Sequence, residues 1–326
     1  MRFLAIALIL FRISLQISQA ERTRFAFVEK QMGADFRIVL YADSEKVAKE
    51  ATTVAFAEVE RLNAILSDYD PESELSGLSD STGSGQHIPL SDDLFAVLDA
   101  SQKLSHQTAG SFDITIGPCT RLWRIARFRK ALPLTEKLAE ARKAVGFRHL
   151  NISHSKQTAL LEVPNMVLDL GGIAKGYVAE KVLKVLGQRG IKSVLVDAGG
   201  DLALGDPPPD RKGWRIKIGG LKHPDLPILE LAHCAVATSG DVEQFVEIEG
   251  KRYSHLLDPS TGIGLTTRIQ VTVVTPRAMY ADSLASALSV LGTERGSKLV
   301  QKLSGVRAYF VEGIGDQRTL CEARGK

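Results

Sequence analysis

No two of the three cysteines, Cys119, Cys234 and Cys321, lie close together in this 326-residue chain. Their spacing excludes a CxxC zinc or redox motif. An odd count allows at most one bridge, so the fold is expected not to depend on disulfides. A surplus of one charge is also missing: 41 Lys and Arg stand against 38 Asp and Glu, a formal net charge of +3. A nucleic-acid binder carries a strong basic excess or stripe, and that class is set aside. The one dense basic stretch, Arg121–Lys130, reads first as the solvated face of a helix and second as an anion contact. Past the N-terminus no apolar run approaches the roughly 20 residues of a membrane span, so an integral membrane protein is not expected. There is no internal repeat and no low-complexity segment beyond short loops.

The N-terminus has the pattern of an export signal. Arg2 is followed by the apolar run Phe3–Phe11, and Ser18 and Ala20 put small residues where a signal peptidase reads. Residues 1–20 are therefore expected to be a signal peptide, with a soluble, exported and periplasmic mature chain beginning near Glu21. Removing them takes away Arg2 and Arg12 and no acid, which leaves a net charge of +1. The remaining length, about 300 residues, suffices for one large core or two lobes sharing a cleft.

Apolar alternation broken by Gly33 makes Phe25–Tyr41 a strand pair or a bulged strand. Helical spacing from Ser44 to Leu66 (Val47, Ala51, Val54, Ala55, Val59, Leu62, Leu66) predicts a helix capped by Ser44. Residues 67–89 read as loop. Helices are predicted over Asp92–Thr108, Thr135–Val145 and Ile173–Gln188, and Asn151–Leu170 reads as two short strands around Pro164-Asn165. Beyond a surface loop at 206–213, where a subdomain seam is expected, the pattern turns β-rich. Helices over Ala278–Leu291 and Thr293–Leu303 follow, and Arg307–Val311 reads as the closing strand. Strands and helices without regular βα alternation predict an α+β fold with mixed sheets and flanking helices.

Five segments carry candidate chemistry. In Leu168–Gly176 a strand is read as running into two glycines and then a helix with Lys175 in its first turn. The free N–H groups of such a helix start attract an anion. The segment lacks both GxxxxGK[ST] and GxGxxG, and a tight turn with a surface lysine accounts for it equally well. Val196–Asp201 is a second acidic, glycine-rich strand end, which a hairpin turn also explains. Thr238–Asp241 is a third polar strand end; it lacks the GxSxG frame, so Ser239 is not a candidate nucleophile. His255 precedes the polar turn Leu256–Gly262 and is the natural proton acceptor for a hydroxyl, with Asp258 three residues on as its orienting group. The other six histidines carry only a structural reading. Asp282 and Ser286, four apart on a helix, share one face and offer two hard oxygen ligands of the sparse kind magnesium favours. Close packing of small residues explains that pair by spacing alone.

Taken together, these segments resemble the ApbE family, the FAD:protein FMN transferases. The resemblance runs from Met32-Gly33 to about Leu291. Its stretches appear in order: Leu66–Glu74, Gly110–Pro118 with Trp123, Leu168–Gly176, Gly199–Asp201, Ala237–Asp241, Ser254–Gly262 and Ala281–Ser286. It implies a single flavin transferase domain over 21–326, two-lobed with a cleft. The implied reaction transfers the FMN half of FAD to a Thr or Ser hydroxyl of an acceptor redox protein. It needs Mg2+ and releases AMP. The resemblance further implies His255 as base and Gly172 (by its carbonyl), Asp282 and Ser286 as metal ligands. It places Met32, Tyr69, Ser111, Phe112, Asp113, Asp169, Lys175 and Leu257 against the flavin nucleotide. Ser286 stands where the family usually has Thr; without the γ-methyl its rotamer is less restricted, and a weaker metal site is expected. Glu180 in place of a common Asp is read as neutral. An FAD pyrophosphatase and a non-catalytic flavin-binding protein are the alternatives.

Overall fold

The computed structural model describes residues 22–219, 226–240, 244–313 and 318–326. The signal-peptide expectation and Asp241 lie outside the described residues. The chain opens on a hairpin, β1 (Thr23–Gln31) and β2 (Ala34–Ala42), turning at residues 32–33. Helix α1 (Glu45–Leu66) starts where expected, with the Ser44 side chain accepting from the Val47 N–H. Its buried stripe is Ala48, Ala51, Ala55, Val59, Leu62 and Leu66; Val47 instead faces solvent. The segment read as loop over 67–89 holds a short helix, α2 (Glu74–Asp80), capped by Ser73, and the strand β3 (Ile88–Pro89). Ser, Asp and Gly obscured that helix, which buries Leu75 and Leu78 and is held by tertiary packing rather than propensity.

Helices α3 (Asp92–Gln107), α4 (Gly117–Arg129) and α5 (Thr135–Lys143) follow. The next hairpin, β4 (Leu150–Ser153) and β5 (Thr158–Leu161), turns at 154–157 and joins β3 in a small sheet. The two strands expected around Pro164-Asn165 thus lie earlier in the chain. Residues 168–170 are not strand either: Val167 makes a single parallel bridge to Ile116, and the Asp169 N–H donates to the Ile114 carbonyl at 2.7 Å. The segment lies against the start of α4 instead of joining the sheet. Helix α6 (Ala174–Gln188) leads into β6 (Val194–Ala198) and β7 (Leu202–Leu204), then β8 (Trp214–Lys217), β9 (Ile228–Leu231) and β10 (Cys234–Gly240). Two more hairpins, β11 (Phe245–Ile248) with β12 (Lys251–Ser254) and β13 (Leu257–Asp258) with β14 (Ile263–Gly264), precede β15 (Ile269–Thr275). Helix α7 (Ala278–Val300) bends at Gly292, whose φ of 73° divides it where two helices were expected. The chain ends in β16 (Arg307–Glu312) and β17 (Thr319–Arg324); β17 went unread because its alternation is broken by charge.

One eight-stranded sheet organises these elements, in the order β1-β2-β6-β7-β10-β15-β16-β17, every pairing antiparallel. Successive side chains point to opposite faces, and both faces are covered. Phe36, Ile38, Leu40, Val271, Val273, Ala308 and Phe310 pack into the large core with α1, α6 and α7. Val39, Val236, Val274, Tyr309 and Val311 face the other way, where β8 and β9 cover them with Trp214 and Ile216. The seam expected near 206–213 is the connection to that covering hairpin. A third, small cluster joins α4 to β11 and β12 through Trp123, Ala126, Val246, Ile248 and Tyr253. The three cysteines are free. Among the described residues no helix is long and apolar enough to cross a membrane.

Candidate active site

The polar groups meet where the start of α6 passes under α7. Gly176 makes the approach possible: a Cβ there would lie 2.3 Å from the Ala278 carbonyl oxygen and 2.8 Å from the Asp282 Cβ. At this crossing the Gly176 N–H donates to Asp282 Oδ2 at 3.0 Å. The acceptor at this helix start is thus the protein's own carboxyl group, which satisfies one orphan donor of α6. A turn further along α7, Ser286 faces the preceding turn; a methyl on Gly172 would stand 3.0 Å from its Oγ and 3.5 Å from the Phe112 ring. Ser239 Oγ, from β10, lies 3.5 Å from Ser286 Oγ. Gly172, Asp282 and Ser286, 114 positions apart at the extremes by sequence number, therefore share one small volume.

Lys175 lies beside them. Its ammonium donates to Asp201 Oδ2 at 2.6 Å, with the Lys175 side chain 28% exposed and Asp201 7%. Burial alone would lower the Lys175 pKa, but the charges of Asp201 and Asp282 outweigh it and raise the value. Burial and the neighbouring Asp201 push the Asp282 carboxyl up to about 8, against the pull of Lys175 and the Gly176 N–H. Two buried carboxyl groups thus lie beside one ammonium: with Asp282 protonated the cluster is neutral, and ionising both carboxyls would leave it one positive charge short. Asp201 carries this arrangement; the sequence marks it as an acidic, glycine-rich strand end within the resembling stretch Gly199–Asp201 and assigns it no role. The β6–β7 turn is that hairpin, held by Asp197 Oδ1 accepting from the Gly200 N–H at 2.8 Å.

His255 comes from the other side, at the end of β12. Its Nδ1 lies 3.1 Å from the Gln244 carbonyl. A carbonyl can only accept, so Nδ1 carries the proton and Nε2 presents its lone pair. Burial lowers the pKa of the imidazole, the cations Arg127 and Lys175 lower it further, and the Gln244 carbonyl and Asp169 oppose them. His255 is therefore neutral at neutral pH and belongs to the same electrostatic neighbourhood as Lys175. The expected orienting role of Asp258 is not borne by the geometry. Its Oδ1 accepts from Ser260 N–H and Oγ at 2.8 and 2.7 Å, shaping the 258–262 turn, and the Gln244 carbonyl orients the histidine instead. Trp123 Nε1 ties that turn to α4 by donating to the Gly262 carbonyl at 2.8 Å.

The remaining candidates divide. Asp169 is at the site: Oδ1 accepts from the Gly171 N–H at 2.8 Å, and Oδ2 is 3.9 Å from Arg124. Tyr69 is exposed, with the Arg124 guanidinium 3.8 Å from its ring centre. Phe112 is buried beside Gly172, and Ser111 is half-exposed next to it. Asp113 is turned inward: Oδ1 accepts from Thr115 N–H and Oγ1, and Oδ2 from the Phe147 N–H. Its carboxylate fixes the loop that carries Ser111 and Phe112. Met32, at φ 50°, occupies the β1–β2 turn; this turn reaches the β6–β7 turn, where a methyl on Gly199 would stand 2.6 Å from Ala34 Cβ. Leu257 packs on the Trp123 cluster. Sequence reading missed Arg124, because a basic run gives no sign of which arginine turns inward.

The fold is α+β, with a polar site at the crossing of two helices and a neutral histidine across from it. Residues 32–310 match the ApbE family. The chain is 31% identical to an FAD:protein FMN transferase of Treponema pallidum over 94% of its own length and 92% of the relative's. It is 33% identical to the FAD:protein FMN transferase of Vibrio cholerae over 80% and 78%. The solved flavin transferase ApbE from Vibrio cholerae superposes with a TM-score of 0.81 at 29% identity, covering 93% of this chain and 97% of that one. The Pseudomonas stutzeri flavinyl transferase ApbE gives 0.81 and 29%, covering 93% and 95%. The chain belongs to the ApbE family.

Proposed function

We propose that this protein is an FAD:protein FMN transferase that moves the FMN half of FAD to a Thr or Ser hydroxyl of an acceptor redox protein, forming a phosphoester and releasing AMP. The observation that carries the reading is the meeting of Gly172, Lys175, Asp282 and Ser286 in one small, partly buried volume, with a neutral His255 near enough to feel the charge of Lys175.

The residues suit Mg2+. Among the described residues no group of three or more His, Cys, Asp or Glu is arranged around a common metal position. A sparse set of hard oxygens is what remains: the Asp282 carboxylate, the Ser286 hydroxyl and the Gly172 carbonyl. Magnesium favours such sets, completed by water and phosphate oxygens. The raised pKa of Asp282 marks a place where one ammonium does not hold two carboxylates ionised, and a cation that would do so fits there. When bound, Mg2+ would neutralise charge on the pyrophosphate of FAD.

The chain's own groups do the rest. Lys175 has one N–H engaged with Asp201 and two left for phosphate oxygens. Asp201 holds the ammonium in place. His255 Nε2 accepts the proton of the acceptor hydroxyl as its oxygen attacks the phosphorus bearing the riboflavin side, and the bond to the AMP phosphate breaks. Phosphoryl transfer of this kind depends on positioning and charge neutralisation more than on covalent chemistry by the protein. The export pattern of residues 1–20 supports a periplasmic place of action, with residues 21–326 as a single catalytic domain.

The test is incubation with FAD, Mg2+ and an acceptor protein carrying an accessible Thr or Ser, followed by denaturation. Flavin fluorescence that stays with the denatured acceptor, lost with EDTA, is the expected result. AMP release without acceptor labelling would make the protein an FAD pyrophosphatase, and FAD binding without AMP would make it a flavin carrier.

A further inference from the structure

Arg124 sits in the middle of a basic run yet does not behave as its neighbours do. Arg121, Arg129 and Lys130 face solvent, whereas the Arg124 side chain is 24% exposed and turned inward. Nη2 pairs with Asp68, and Asp169 Oδ2 is 3.9 Å away. The guanidinium carbon lies 3.8 Å from the centre of the Tyr69 ring. Nε is buried and has no hydrogen-bond partner, so the side chain is held by its plane and its far end.

Tyr69 itself is 74% exposed although a guanidinium backs its ring. Its backbone is pinned, because the N–H groups of Tyr69 and Asp70 donate to Ser67 Oγ, each at 3.2 Å. Only the ring needs an orientation, and the guanidinium supplies it from one face. The other face is left for a planar ligand. Asp169, whose Oδ2 lies 3.9 Å from the same Nη2, accepts from Gly171 in the turn that presents Gly172. Without Arg124, two half-buried carboxylates would face each other unpaired and the ring would lose its backing.

We infer that Arg124 is a positioning residue. It holds Tyr69 as a stacking platform for the flavin ring of the substrate and ties that platform to the Asp169–Gly172 turn. The inference rests on the reading of this protein as an FAD-using transferase. A lysine could keep the ion pair but not the flat stacking surface.

A double-mutant cycle tests it. FAD is titrated into the Mg2+-loaded protein with flavin fluorescence as readout, for wild type, Arg124→Met, Tyr69→Ala and the double variant, with Arg124→Lys alongside. Each single variant is expected to raise the FAD Kd about tenfold and the double no more than about twofold beyond Tyr69→Ala, because coupled residues share one interaction. Arg124→Lys should fall between wild type and Arg124→Met. Melting temperatures show which variants are folded; if Arg124→Met is not, Arg124→Lys replaces it in the cycle. Additive losses, about a hundredfold in the double, would assign Arg124 a role independent of Tyr69 and overturn the inference, as would an unchanged Kd in both Arg124 variants. Wild type that binds no FAD would remove the transferase reading itself, and the inference with it.

Discussion

At the α6–α7 crossing, Asp282, Ser286 and Lys175 ride on two helices that pack side by side into the large core. His255, by contrast, hangs from a hairpin whose own core is five buried residues centred on Trp123 and Tyr253. The first region is built to hold a geometry: Gly176 leaves no room for even a methyl group, and Asp282 caps the neighbouring helix. The second is joined to the rest by a few bonds, such as Trp123 to Gly262 and Arg142 to the Ser260 carbonyl. Small clusters open more readily than large ones. A fixed binding end and a more easily displaced histidine suit the proposed reaction, in which a whole acceptor protein would bring its hydroxyl to the histidine.

Removing the base should separate the two regions most sharply. His255→Ala is expected to lower kcat by about 10²–10⁴-fold, the usual range for a general base, while FAD binding measured by fluorescence is retained. The pH profile sharpens this. Because burial lowers the histidine pKa, the neutral form persists below 6.5, and transfer should fall only as acid protonates the ring at lower pH. A rate already halved at pH 6.5 would place the essential base elsewhere.

Trp123→Ala should cost about 3–5 kcal/mol, the range for a large aromatic removed from a packed cluster. If the small core is a separate unit, hydrogen exchange will speed in β11 and β12 and leave α6 and α7 protected. Uniform acceleration would mean that the two regions unfold together. Gly176→Ala strikes the other region. Overpacking there is expected to cost about 1–3 kcal/mol in denaturant melts and to weaken FAD binding, with His255 and its hairpin unaffected. Asp282→Asn should abolish Mg2+-dependent transfer and, above about pH 8 where Asp282 ionises, raise the Tm of the metal-free protein, since it removes a buried charge the cluster cannot neutralise. A lower Tm would show that the negative charge is needed for the fold. The smallest effect is reserved for Ser286→Thr, which should tighten the Mg2+ requirement by about two- to threefold by restricting the hydroxyl's rotamer; a titration of activity against Mg2+ measures it.

Much of the frame was legible. The β1–β2 hairpin follows from alternation broken at Gly33, and α1 from its apolar stripe with Ser44 in front. Local rules sufficed there because the period of burial is written in consecutive residues. They failed where the decisive contact is distant. Beyond the Ser73 cap, little local marks Glu74–Asp80 as a helix, since its stability comes from Leu75 and Leu78 meeting the main core. Asp258 looked like the partner of His255 because it is near in sequence, but a two-residue turn claims its carboxylate first.

By itself the sequence determined the helix and strand periods, the caps, the near-neutral charge and the set of polar strand ends from which the site is drawn. Which of those ends meet was decided by the tertiary structure alone. Asp282 reaches the Gly176 N–H across 106 positions and Trp123 reaches the Gly262 carbonyl across 139. Arg124 was picked from five basic residues by which side of α4 faces Tyr69 and Asp169. Such pairings depend on how helices cross and sheets stack, and close packing fixes them only once the whole core has formed.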